Sequence, residues 1–153
     1  MLTTIEKMLF LNKVDMFKDV SLDNLLSIAG IAKETSYPGR TVIFKEGDEG
    51  DSLYLIVEGS VGVKKGGAKE SGFIAVLRPP QCVGEMAIVS HEPRSATVET
   101  IEDTNFLVID KKGFEAFIKK NPEIAFSIFN MLAARLRDIT ARLAEEIGKR
   151  DKC

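Results

Sequence analysis

Apolar residues change their spacing twice along this chain, which predicts helical ends around a middle built of short strands. Residues 3–11 read as a short helix. Ser21 then supplies an N-cap for a second helix, in which Leu22, Leu25, Leu26, Ile28, Ala29 and Ala32 recur at helical spacing. From 34 to 110 the pattern shortens. Apolar runs at 41–44, 53–57, 61–63, 73–77, 96–101 and 106–109 are separated by glycine, proline and aspartate. Runs of that length and spacing predict an antiparallel β sandwich or barrel. Residues 64–72, rich in lysine and glycine, read as an exposed hairpin tip.

Helical spacing returns after Asp110, itself an N-cap for a helix through Lys120 with Phe114, Phe117 and Ile118 on one face. Asn121-Pro122-Glu123 is a start signal for the last helix: a capping residue, a proline in the first turn, an acid near the positive end. This helix is expected to run to about Ile147, with Gly148 as its stop. Its Ala125, Phe129, Leu132, Leu136, Ile139 and Leu143 alternate at four and three residues, the spacing of a coiled-coil seam. Phe126 and Ile128 are expected to pack on the β core. A homodimer through 122–148 is the expectation from the seam, against a helix that merely covers its own domain.

Two stretches carry candidate chemistry. The first, 84–97, reads Gly-Glu-Met-Ala-Ile-Val-Ser-His-Glu-Pro-Arg-Ser-Ala-Thr. Arg94 lies among small and apolar residues. Its guanidinium stays charged, so burial without an anionic partner is costly, and its planar fork suits phosphate oxygens. Gly84 would let the backbone come close to a ligand, and Glu85 would accept hydrogen bonds from a sugar hydroxyl. An anion beside a diol describes a nucleotide. The opposing reading is that Glu85 and Arg94 simply pair with each other across a folded loop. The second stretch, 46–63, sets glycines for tight turns among alternating apolar residues.

In that order and spacing the two stretches closely resemble the signatures of the cyclic nucleotide-binding domain family, typified by catabolite-activator proteins and protein kinase A regulatory subunits. With the flanking helices the resemblance spans nearly the whole chain. It implies a mainly β fold with flanking helices: a double-stranded β-helix (a jelly-roll-like β roll), N-terminal helices and a long C-terminal helix. One domain over 1–153 is expected, with N-terminal helices at 1–33, the β roll at 34–110, the phosphate-binding cassette at 84–97 and C-terminal helices at 111–148. The resemblance also implies roles. Arg94 pairs with an exocyclic oxygen of the cyclic phosphate, and Glu85 holds the ribose 2′-hydroxyl. A short helix starting near Glu85 turns backbone N–H groups toward the phosphate, which brings in Gly84, Met86 and Ala87. Ser95 and Ala96 add phosphate contacts, Val83 packs on the sugar or base, and Thr140 lies near a base contact. The ligand implied is cAMP before cGMP, although the Ser95 hydroxyl leaves guanine open. Pro80 and Val83 depart from the family, which usually has a glycine and an aromatic residue there. Two readings stand beside a stand-alone sensor: a degenerate fold that binds only protein, and the sensor part of a transcription regulator lacking its DNA-binding domain.

Composition narrows the rest. The 153 residues are 44% apolar and 29% charged with net charge −2, so the basic balance of a nucleic-acid binder is missing. Since the chain ends at Cys153, just beyond the last helix, no direct nucleic-acid contact is expected. One histidine, His91, cannot supply a metal cluster, and no nucleophile–base pair is visible. The expectation is therefore no catalysis, no metal and no cofactor beyond the ligand. His91 itself reads as an exposed loop residue. Cys82 and Cys153, with no secretory signal, read as reduced thiols in a cytoplasmic protein, Cys82 being a small core residue. No apolar run is long enough to span a bilayer. An unnamed downstream protein completes the expected partners.

Overall fold

A computed structural model describes residues 1–66, 72–85, 90 and 92–151. His91, Met86, Ala87, Cys153 and the middle of the expected hairpin tip lie outside the described residues. Helix α1 (Thr4–Leu11) is capped by the Thr3 hydroxyl, and α2 (Leu22–Ile31) by that of Ser21, which accepts from the Asn24 N–H. A 3-10 turn at Asp15–Phe17 joins them. Eight strands follow among the described residues: β1 (Lys33–Tyr37), β2 (Val42–Phe44), β3 (Ser52–Glu58), β4 (Val61–Lys64), β5 (Ala75–Leu77), β6 (Cys82–Val83), β7 (Thr97–Thr100) and β8 (Thr104–Asp110). Asp110 accepts from the Gly113 N–H at 2.6 Å and so opens α3 (Lys111–Lys120), which leads into α4 (Glu123–Asp151).

The strands form two antiparallel sheets, ordered β1-β8-β3-β6 and β2-β7-β4-β5. Period-two alternation on the first sheet explains its long apolar runs. Leu53, Leu55, Leu107 and Ile109 point to the helices and join Leu11, Phe17, Leu25, Ile28, Phe114 and Ile124 in one core. Their neighbours Ile56 and Phe106 point the other way, where they meet Val61, Val83 and Val98 in a second core between the sheets. Both faces of the first sheet are thus covered, while the second sheet gives its outer face to solvent. This is the mainly β roll with flanking helices that the resemblance implies. At the β3–β4 turn Gly59 has φ +101°, and a Cβ there would stand 2.6 Å from the Asp103 carbonyl oxygen, so no other residue fits without strain.

Three particulars differ from expectation. Strand β1 is polar (Lys-Glu-Thr-Ser-Tyr) and has no apolar alternation to announce it. It forms because β8 offers partners: Asn105 donates to Glu34 at 3.0 Å and accepts from the Ser36 hydroxyl at 3.0 Å, while Tyr37 stacks edge-on against Phe106. Helix α4 does not stop at Gly148. It continues to Asp151, and Gly148 keeps a negative φ, so no left-handed cap forms. Phe126 is 68% exposed; Ile128 packs on the core as expected, and Ile124, four residues before it on the inward face, does the packing expected of Phe126. Of the expected seam, Phe129, Leu136, Ile139 and Leu143 are all exposed.

Cys82 is buried where the sequence placed it, paired in β6 opposite Leu55. Burial, reinforced by the Glu85 carboxylate, pushes its thiol from 9.0 up to about 12. The folded state therefore holds the proton more tightly than the unfolded one. Its contribution to stability is complete below pH 9.0 and is lost as pH rises toward about 12. In a Cys153→Ser variant, Cys82 should resist a thiol reagent at neutral pH until urea unfolds the chain, and the urea midpoint should fall across that alkaline window. Labelling as fast as in the unfolded chain would contradict the burial.

Candidate functional site

Arg94 is 5% exposed, although it belongs to a loop. Backbone hydrogen bonds hold it from both sides: its N–H donates to the Asp48 carbonyl at 2.8 Å, and its own carbonyl accepts from the Gly47 N–H at 2.9 Å. The turn between β2 and β3, part of the second signature, therefore grips the cassette directly. The guanidinium reaches inward. Nη2 donates to the Ser52 carbonyl at 2.9 Å, Nη1 to the Gly84 carbonyl at 3.4 Å, and the guanidinium carbon lies 4.0 Å from the centre of the Phe44 ring. Nε is buried with no hydrogen-bond partner among the described residues. Desolvation lowers the Arg94 pKa from its ordinary value, and the nearby Tyr54, Asp51 and Asp48 oppose that only in part.

Gly84 makes room for this arrangement. Its φ is +88°, and a Cβ would collide with Arg94 Nη1 and stand 2.9 Å from the Ser52 carbonyl oxygen. The close approach anticipated for a ligand is here an approach to the Arg94 guanidinium. Glu85 does not pair with Arg94, which removes the reading in which the two charges neutralise each other. Its Oε1 instead accepts from Arg135 Nη1 of α4 at 2.7 Å. That bond and charge raise the Arg135 pKa, against a desolvation that works the other way.

A cleft of about 170 Å³ opens beside Arg94 and brings together Val83, Gly84, Glu85, Arg94, Ser95 and Ala96, with Phe44, Val63, Leu77 and Val98 on its apolar walls. A larger cavity of about 520 Å³ shares Leu77, Cys82 and Glu85 with it and continues to Arg135, Asp138, Ile139 and Arg142 of α4, with Pro80 on its rim. Glu85 stands on the wall between the two. Ser95 is exposed, and its carbonyl accepts from Lys65 Nζ at 2.6 Å. Thr140 is not brought to either cleft: it is exposed on α4, and its hydroxyl donates to the Leu136 carbonyl at 2.8 Å. Met86 and Ala87 lie outside the described residues.

Sequence reasoning missed Phe44, Arg135 and Lys65. Phe44 resembles any core aromatic, Lys65 any hairpin lysine, and Arg135 is one of several basic residues on a long helix. Only their contacts mark them.

A sequence profile described as "Cyclic nucleotide-binding domain" matches residues 34–121, which include β1 to α3 and both signatures. The chain belongs to the cyclic nucleotide-binding domain family. Among its relatives, the "CRP-like cAMP-activated global transcriptional regulator" of Mycobacterium tuberculosis is 25% identical over 90% of this chain and 62% of its own. A Drosophila melanogaster "cGMP-dependent protein kinase" is 33% identical over 75% of this chain and 13% of its own. The crystal structure of the Thermus thermophilus catabolite activator protein superposes with a TM-score of 0.74 at 28% identity, over 85% of this chain and 62% of that one. This chain therefore spans less than two thirds of the length of each.

Within this cyclic nucleotide-binding domain, Gly84→Ala should place a β-carbon in both a left-handed backbone and the Arg94 guanidinium. A loss of about 1–3 kcal/mol is expected in urea denaturation, with Arg94 displaced. A variant as stable as the parent would show that the position tolerates a side chain.

Proposed function

We propose that the chain is a regulatory sensor that binds a cyclic nucleotide, cAMP before cGMP, without catalysing a reaction. One observation carries the reading: a buried arginine, its Nε without a hydrogen-bond partner among the described residues, lines a cleft that also holds a carboxylate. Such an arginine is costly alone and is stabilised by an anion. The cyclic phosphate supplies it. Arg94 takes an exocyclic oxygen, and the family roles of Gly84, Met86, Ala87, Ser95 and Ala96 add phosphate contacts. Glu85 accepts from the ribose 2′-hydroxyl, since a carboxylate has room for that donor beside Arg135. Val83 and the apolar walls pack on the sugar or base. In this reading a contact between Thr140 and the base requires α4 to move. The preference for cAMP draws support from the cAMP-activated relative, which aligns over more of this chain than the cGMP-dependent one.

Helix α4 is the output. Arg135 ties it to Glu85, so a ligand that engages Glu85 acts on the helix, and the shift is limited by its differential affinity for the two helix positions. The exposed Phe129, Leu136, Ile139 and Leu143 support a homodimer through 122–148. No helix of the described residues is long and apolar enough to cross a membrane, and the reading places the protein in the cytoplasm with a downstream protein as its partner and no nucleic-acid contact of its own. A second reading, the sensor part of a transcription regulator, draws support from the chain's 62% span of a relative so named.

Calorimetric titration with cAMP and with cGMP tests the site. Saturable binding is expected, weakened at least about tenfold by Arg94→Ala, the loss of a charged hydrogen bond. Absence of binding to both nucleotides would leave a protein-interaction module. Light scattering tests the seam: the parent should be dimeric, and Leu136→Glu with Leu143→Glu should give a folded monomer. A monomeric parent would sink the dimer.

A further inference from the structure

Most buried arginines are held by a carboxylate, which fixes the guanidinium and neutralises it. Arg94 is held differently. No carboxylate oxygen of the described residues lies within 4.0 Å of its nitrogens. Its plane is supported by the ring of Phe44, 4.0 Å away, and its ends by two main-chain carbonyls. A ring face attracts a cation through its quadrupole yet accepts none of its N–H groups in a strong hydrogen bond. The ring thus leaves the charge whole and takes up no donor: Nη1 and Nη2 each give one hydrogen bond to a carbonyl, and Nε has no partner among the described residues. A carboxylate in its place would compete with any incoming anion for the same donors.

The platform is itself anchored. Phe44, the last residue of β2, is half-buried, and its ring centre lies 6.0 Å from that of Tyr54. Tyr54 packs edge-on against Phe106, which is fully buried between the sheets. A line of three rings thus connects the guanidinium to the centre of the roll. Phe44 is half-buried and packs against the edge of that core, so its substitution by another apolar residue should leave the fully buried residues in place.

We propose that Phe44 is a positioning residue for anion recognition: its ring face orients the Arg94 guanidinium without consuming its hydrogen-bond donors, so that the buried charge and Nε remain for the phosphate. The proposal deepens the cyclic nucleotide reading and rests on it.

Titration of the full chain with cAMP tests it through a double-mutant cycle. Phe44→Leu should weaken binding about five- to twenty-fold, the effect of a desolvated cation–ring contact. Phe44→Tyr, which keeps a ring face, should bind within about twofold of the parent, a rescue that a mere packing role does not require. On an Arg94→Gln background, Phe44→Leu should cause less than about twofold further loss, because the pair acts as a unit. Thermal unfolding run beside each titration confirms that the variants are folded, and Phe44→Met replaces Phe44→Leu in the cycle if the latter is not. Parent-like affinity in Phe44→Leu, failure of Phe44→Tyr to rescue, or an undiminished loss on the Arg94→Gln background would each overturn the proposal while leaving nucleotide binding in place. If the parent binds only cGMP, the same cycle is run with cGMP; binding of neither nucleotide by the parent, or parent-like affinity in Arg94→Gln, would instead overturn the nucleotide reading itself, and the platform with it.

Discussion

One buried positive charge organises the functional half of this molecule. Arg94 is drawn into the roll by main-chain pairing with Gly47 and Asp48, then held by two carbonyls and an aromatic face. Each holder comes from a different part of the chain: the β2–β3 turn, the first residue of β3, the end of β6 and the end of β2. The two sequence signatures accordingly belong together for a physical reason. The second, 46–63, provides much of the cradle, and the first, 84–97, provides the charge that the cradle holds. Gly84 is the meeting point, because only a residue without a side chain leaves space for the guanidinium there.

The first sheet makes this cradle rigid. Covered by helices on one face and by the second sheet on the other, it places Ser52, Tyr54 and Val83 in a well-packed setting. The cleft therefore opens between firm walls. Its far side is different: α4 leaves the core after Met131 and Leu132, and its later turns are exposed. The Glu85–Arg135 pair bridges these two regions. Its side chains are 43% and 17% exposed, and in the proposed reading the pair links the candidate sugar-binding carboxylate to the helix.

The strength of local signals decided what was legible in advance. Ser21 and Asp110 cap helices because their side chains reach backbone donors three residues on, a property of the residue and its neighbours. The strands at 52–58 and 104–110 were legible because burial on both faces of the first sheet demands long apolar runs. Strand β1 was not, since its reason for existing is Asn105, about seventy residues away in the chain. Gly148 misled for the related reason that a glycine permits a helix end without enforcing one. Ile124 meets the core in place of Phe126 because two residues along a helix stand about 200° apart, on nearly opposite sides.

By itself the sequence determined the helical ends, the β middle, the pair of signatures and, through them, the candidate anion-binding arginine. These follow from periodicity, capping and residue chemistry, all of which act over a few positions. Tertiary structure alone decided what Arg94 and Glu85 touch: a ring and carbonyls rather than each other, and Arg135 of the last helix rather than a neighbour in the loop. It also set Thr140 apart from the cleft. Side-chain partners depend on the relative placement of elements far apart in sequence, and that placement is settled by the packing of whole faces, which no local pattern encodes.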